Sequence, residues 1–221
     1  MKINKVDNKV IAAQLRKPTG EFATKVAETM NEGNRQINLD AIDALNLSVG
    51  DQILEIGMGN GFFVKEILSR SNELKYTGCD FSKEMVKQST QMNAELVDDG
   101  QVSFYLNNGI KLPFEKESYD KVLTINTLYF WADQALILSE IWNVLKPKGQ
   151  LTIAIRPKSV MKKYPFTEHG FNMFDKEEVI YLLEQYNFKV TEVFENEEPE
   201  QDFGGVKMKV ANLVVNAQKV E

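Results

Sequence analysis

Apolar positions along the chain follow two spacings in turn. Short, mostly apolar runs at 53–56, 102–106 and 121–126 have the length and content of buried β-strands, and 76–80, Tyr-Thr-Gly-Cys-Asp, reads as another strand that ends in an acid. Between them, apolar residues recur every three or four positions, as on one face of an α-helix. Met85, Ser89, Met92 and Leu96 form such a stripe from Lys83 onward, and Ala135, Leu138, Ile141, Trp142 and Leu145 form another after Asp133, a plausible helix cap. Leu145-Lys146-Pro147-Lys148-Gly149 stops that helix and reverses the chain into a fifth strand. Asp175 and Glu178 have capping-box spacing before Val179, Leu182 and Leu183, and the helix they open runs to Tyr186. Two last strands are expected at 189–195 and 207–217, joined by an acidic, proline-containing segment at 195–202 that reads as a solvated loop. Ahead of the first strand, 10–15 is a short helical or irregular arm, 23–30 a helix broken by 31–34, and 38–47 a second amphipathic helix. Strand and helix in alternation predict an α/β fold built on an open, mostly parallel sheet with helices on both faces.

The first strand decides what chemistry the fold can carry. Residues 53–63 read ILEIGMGNGFF, a buried strand that breaks into Gly57, Gly59 and Gly61 and then resumes at helical spacing. Glycines there permit positive φ and let a ligand lie against the backbone. The spacing is G-x-G-x-G. A dinucleotide fingerprint needs G-x-G-x-x-G, and Phe63 stands where its third glycine would be. Glu55 precedes the first glycine by two residues. A carboxylate there would repel a pyrophosphate but could hold an ammonium group. Asp80 ends the second strand 19 residues after Gly61, where one carboxylate can accept from both hydroxyls of a ribose.

Glu-x-Gly-x-Gly-x-Gly after a strand resembles motif I of the class I S-adenosylmethionine-dependent methyltransferases. Further segments are similar to the same family: Asp80-Phe81-Ser82 with Met85, the stretch from Asn107 through Pro113-Phe114 to Tyr119-Asp120, and Leu145-Lys146-Pro147-Lys148-Gly149. The resemblance implies a Rossmann-like sheet of seven strands, one of them antiparallel, with S-adenosylmethionine as cofactor. It makes 51–221 the methyltransferase domain and 1–50 a leading helical segment that covers the site, although those helices fit plain packing on the sheet equally well. Glu55, Gly57, Gly59, Gly61, Asp80, Phe81, Met85, Asn108, Gly109 and Asn126 would contact the cofactor. Phe81 and Met85 also suit a core. The family's adenine-contacting acid is Asn108 here; its side-chain oxygen could still accept from the adenine amino group, and Gly109 could offer its N–H. Tyr129, Phe130 and Trp131 would form an aromatic wall at the methyl-transfer centre, and 156–174 occupies the place of a substrate lid. Tyr129, Asp133 and His169 are the available general bases, with no spacing that selects one.

Composition narrows the partners. A chain of 221 residues suits one domain, and 43% hydrophobic with 26% charged residues is ordinary for a globular protein. A net charge of −6 argues against nucleic acid and against an anionic membrane surface. A small-molecule acceptor is expected instead. The single cysteine, Cys79, reads as a buried thiol in a reducing cytoplasm, and 1–5 is not a signal peptide. The sequence contains no histidine–cysteine cluster for zinc, no Walker A loop and no G-x-S-x-G elbow. Two alternatives stay open: a cofactor-binding module without turnover, and a nicotinamide-dependent oxidoreductase.

Overall fold

The computed structural model describes residues 7–203 and 206–220; residues 1–5, read above as no signal peptide, lie outside them. Seven strands form one sheet among the described residues: β1 (Gln52–Ile56), β2 (Lys75–Asp80), β3 (Val102–Leu106), β4 (Tyr119–Ile125), β5 (Leu145–Ile155), β6 (Phe188–Phe203) and β7 (Val206–Lys219). Their order is β3-β2-β1-β4-β5-β7-β6. β1 to β5 pair in parallel, and β7 runs antiparallel to both of its neighbours. This is the expected seven-stranded, mostly parallel architecture. The strand order reverses between β1 and β4, and a crevice opens at such a point beyond the carboxyl ends of the strands.

The helices are α1 (Asn8–Arg16), α2 (Ala23–Gly33), α3 (Arg35–Ala44), α4 (Val64–Leu68), α5 (Lys83–Met92), α6 (Ala94–Asp98), α7 (Gln134–Val144), α8 (Lys158–Met161) and α9 (Lys176–Gln185). Two apolar layers cover the two faces of the sheet. Ile37, Ala41 and Ile42 of α3 and Val64 and Ile67 of α4 pack with Ile53, Leu123 and Ala154. Leu138 and Ile141 of α7 and Val179 and Leu183 of α9 pack with Leu54, Val122 and Ile153. Successive strand residues feed opposite layers, which is why apolar residues stand next to each other in the central strands, as at Ile53-Leu54 and Val122-Leu123. No helix among the described residues is long and apolar enough to cross a membrane.

Four expectations need correction. α2 continues to Gly33 and α3 begins at Arg35, so one residue, Asn34, makes the turn assigned above to 31–34. The helix expected over 83–96 divides at Asn93, whose side-chain amide donates to the carbonyls of Gly61 (3.1 Å) and Ser89 (3.0 Å). Met92, at the end of α5, is exposed and off the inner stripe. The acidic segment 195–202 is strand, paired with β7 through Glu198↔Val210 and Gln201↔Met208. Its register shifts between Glu198 and Gln201, a bulge that accommodates Pro199 in an edge strand.

Candidate active site

The loop after β1 is shaped by close approaches. Gly57 has φ +80°, and a Cβ on it would stand 2.3 Å from Thr127 Cγ2, in the segment that follows β4. Gly61 has φ +70°, and a Cβ there would meet Ser89 and Asn93 at 2.9 Å. The first glycine lets the β1 loop lie against the β4 loop, and the last lets α5 lie against the turn. A side chain at either position would be strained and would collide.

Two buried acids face this loop. Glu55 Oε2 accepts from the Tyr76 hydroxyl at 2.5 Å. Burial pushes its carboxyl up to about 7; the Tyr76 hydrogen bond opposes the rise and the nearby Asp80 adds to it. Asp80 Oδ1 accepts from the N–H of Ser82 (2.8 Å) and Oδ2 from the N–H of Gly59 (3.3 Å). Burial raises Asp80 to about 6, against the pull of backbone N–H groups and of Lys17. Lys17 Nζ stands 5.2 Å above the Phe81 ring. The Asp80 end is closed over by the leading segment. Ser82 Oγ donates to the Pro18 carbonyl at 2.5 Å, and Ala23 and Ala27 of α2 pack on Met85 of α5.

A cavity of about 330 Å³ occupies the switch point. Glu55, Gly57, Gly59, Asp80, Phe81 and Met85 line it, and so do Asn108, Gly109 and Asn126. Gly61 lies behind the lining, packed on α5. α1, α2 and α3 close the other side with Leu15, Arg16, Met30, Asn31, Asn34 and Asn38. Nine of the ten residues expected at the cofactor therefore line one cavity, under helices that line it directly.

A sequence model of a family described as "Methyltransferase domain" matches residues 54–153. The uncharacterized methyltransferase YdaC of Bacillus subtilis is 30% identical over 125 residues, which are 57% of this chain and 67% of YdaC. The chain belongs to the class I S-adenosylmethionine-dependent methyltransferases. The O-methyltransferase resE of Aspergillus sclerotiorum is 30% identical over 127 residues, 58% of this chain and 48% of that protein. The chain thus spans from about half to two thirds of the length of these curated relatives. A SAM dependent methyltransferase from Aquifex aeolicus has the same fold, with a TM-score of 0.70 at 20% identity over 90% of this chain and 98% of that one.

The methyltransferase does not gather its three expected bases at the cavity. Tyr129 is buried behind it; its hydroxyl accepts from the Arg156 N–H and lies 3.0 Å from Asn126 Oδ1 and 3.1 Å from the Arg156 carbonyl. Burial raises its phenol well above the usual range. Asp133 caps α7 by accepting from the Leu136 N–H at 2.9 Å. His169 is exposed on the loop after a short 3-10 turn, Pro165–Glu168. Phe130 and Trp131 do line the cavity, so the aromatic wall has two members and not three. Residues 156–174 bury Val160, Met161, Tyr164 and Thr167 and contribute nothing to the lining.

The adenine-side loop also differs from expectation. Asn108 Oδ1 accepts from the N–H groups of Ile110 (3.0 Å) and Lys111 (2.8 Å), and the Gly109 N–H donates to Asn107 Oδ1 (3.0 Å). The acceptor and donor proposed for adenine are thus spent inside the loop, and Asn108 keeps its amide N–H groups to offer. Sequence reasoning missed Asn31, Asn34, Asn38, Asn60 and Asn107 in the lining. The spacing of 31, 34 and 38 was the available signal for three of them, masked by reading 31–34 as a breaker.

Proposed function

We propose that the chain transfers a methyl group from S-adenosylmethionine to a small-molecule acceptor by in-line displacement. One observation carries the reading: two buried carboxylates, Glu55 and Asp80, border one glycine loop in one cavity. Asp80 would accept from the ribose hydroxyls and Glu55 would face the ammonium, while Phe81 and the 107–109 loop would flank the adenine. The donor supplies a methyl already activated by a positive sulfur: the C–S bond breaks as the bond to the acceptor forms, and a neutral thioether leaves. The chain's own work is to align acceptor and donor and to exclude water. Phe130 and Trp131 present apolar and aromatic surface to a cationic centre. Among the described residues lining the cavity, only Arg16, Glu55 and Asp80 are ionisable, and the two acids are assigned to the donor. The relative named an O-methyltransferase supports an oxygen acceptor, and the acidic net charge supports a small molecule over nucleic acid. A nicotinamide dinucleotide would have to bring its pyrophosphate beside both carboxylates.

Calorimetry with S-adenosylmethionine, S-adenosylhomocysteine and NADH tests the donor, and a screen of small hydroxyl, amine and thiol acceptors for S-adenosylhomocysteine release tests the reaction. Binding of both adenosyl ligands with turnover of an acceptor is expected. NADH binding in their place would overturn the reading. Binding without release across the screen would leave a cofactor-binding module.

A further inference from the structure

We propose that Asn38 determines which acceptors this methyltransferase takes, its carboxamide oxygen accepting a hydrogen bond from the O–H or N–H of the group that receives the methyl. The inference rests on the donor assignment above and deepens it.

Asn38 lies on α3, lines the cavity and is 8% exposed. Its Nδ2 donates to the Asn34 carbonyl at 2.7 Å, one turn back along the helix. A carbonyl can only accept, so this bond fixes which end of the amide is nitrogen. It leaves Oδ1 without a donor among the described residues. That oxygen is not fully enclosed by protein, and the residue that carries it lines the cavity. A largely buried acceptor on the wall of a ligand cavity, with no protein donor, is free to take a hydrogen bond from a ligand that displaces solvent there.

Its place in the sheet gives it the acceptor and not the ribose. Asp80 ends β2, on one side of the glycine loop after β1, and the 107–109 loop follows β3 farther out on that side. A nucleoside held there extends its sulfur end across β1 toward β4. α3 lies on the far side: it packs on β4, β5 and β7, and Arg156, next after β5, donates from Nη2 to the carbonyl of Gly33 (2.8 Å) and to Asn34 Oδ1 (3.5 Å). The neighbouring Phe130 and Trp131 follow β4. Asn38 thus faces the place where the methyl leaves the sulfur.

A carboxamide oxygen is too weak a base to remove a proton, so Asn38 orients the acceptor and does not ionise it. It favours alcohols, phenols and neutral amines, which bring a donor, over carboxylates and thiolates, which do not.

Sinefungin tests this without an identified acceptor, because it carries an amine where the donor carries its methyl. Binding of sinefungin and of S-adenosylhomocysteine is measured by calorimetry for the full chain and for Asn38→Leu and Asn38→Ala. Both variants are expected to weaken sinefungin about tenfold or more, by loss of a hydrogen bond to a charged group, and to hold S-adenosylhomocysteine within about twofold. Retained S-adenosylhomocysteine binding also certifies that the variants fold, and alanine guards against a misfit of leucine. An equal loss for both ligands would place Asn38 on the shared part of the donor and overturn the proposal, as would no change for either. If the unaltered chain binds neither ligand, the donor assignment itself fails, a result distinct from the other two.

Discussion

Asp80 joins two tasks in one side chain. Its oxygens hold the N–H groups of Gly59 and Ser82 and stand in the cavity where a ribose would lie. Asp80→Ala should raise the S-adenosylhomocysteine dissociation constant about 10- to 100-fold, from lost charge-assisted bonds of about 1–3 kcal/mol. Asp80→Asn keeps one acceptor oxygen and should lose less; equal affinity of both variants and the parent would remove Asp80 from the site. Gly57→Ala should abolish adenosyl binding, because the new methyl would stand 2.3 Å from Thr127 Cγ2 at a φ of +80°. A Gly57→Ala variant that binds normally would show that the loop can move away from the β4 segment. Glu55, Asp80 and the glycines were legible in the sequence because each answers a backbone or charge demand that fixed spacing expresses. Tyr129, Asp133 and His169 were not. Their chemistry qualifies them as bases, but which way a side chain points depends on contacts distant in sequence, such as that of the Tyr129 hydroxyl with the Arg156 N–H.

Among the elements, the stretch least legible in the sequence is the one that anchors the cover of the site. Eight consecutive polar, acidic or proline positions at 195–202 read as loop, yet Glu198 is buried and pairs with Arg156, Nη1–Oε1 at 3.1 Å and Nη2–Oε2 at 3.2 Å. Composition cannot reveal a strand whose inward charge is neutralised from another element. Asn212 Nδ2 extends the network to Glu198 (2.9 Å) and to Asp40 of α3 (2.7 Å), and Gln201 donates to the Gly33 carbonyl at 2.8 Å. β6, β7 and Arg156 together hold the corner between α2 and α3, from which Asn31, Asn34 and Asn38 reach the cavity. Glu198→Ala leaves a buried guanidinium without its carboxylate, and should cost about 3–5 kcal/mol in denaturant unfolding. Pairing it with Arg156→Met removes both charges and should recover much of that loss. A single variant as stable as the parent would mean that water reaches Arg156 and that the corner is not held from this side.

At the scale of the whole molecule, the apolar periodicity made the sheet legible, and the order of β and α segments made its topology legible. What this scale adds is a conflict between folding and binding at the crevice. Glu55 and Asp80 lie where folding withdraws them from water, and their carboxyls rise to about 7 and about 6. An acid whose pKa is higher folded than unfolded binds more protons in the native state through the interval between the two values. Its contribution therefore favours folding below the unfolded pKa and is lost as pH climbs through the folded one. For Glu55 that interval runs from 4.5 to about 7, and the ionised form costs the fold about 3 kcal/mol at higher pH. Glu55→Gln should thus raise the melting temperature at pH 8 by about 5–10 °C and change it little at pH 4.5. Adenosyl ligands pull the other way, since ribose hydroxyls and an ammonium favour the ionised acids. Their affinity should climb from pH 5 to pH 8, with protons released on binding and detected as a buffer-dependent heat. Glu55→Gln should shrink that release. Melting temperatures of variant and parent that stay parallel from pH 4.5 to pH 8 would show that Glu55 is already hydrated in the folded chain, and the case for a carboxylate held ready for an ammonium would go with it.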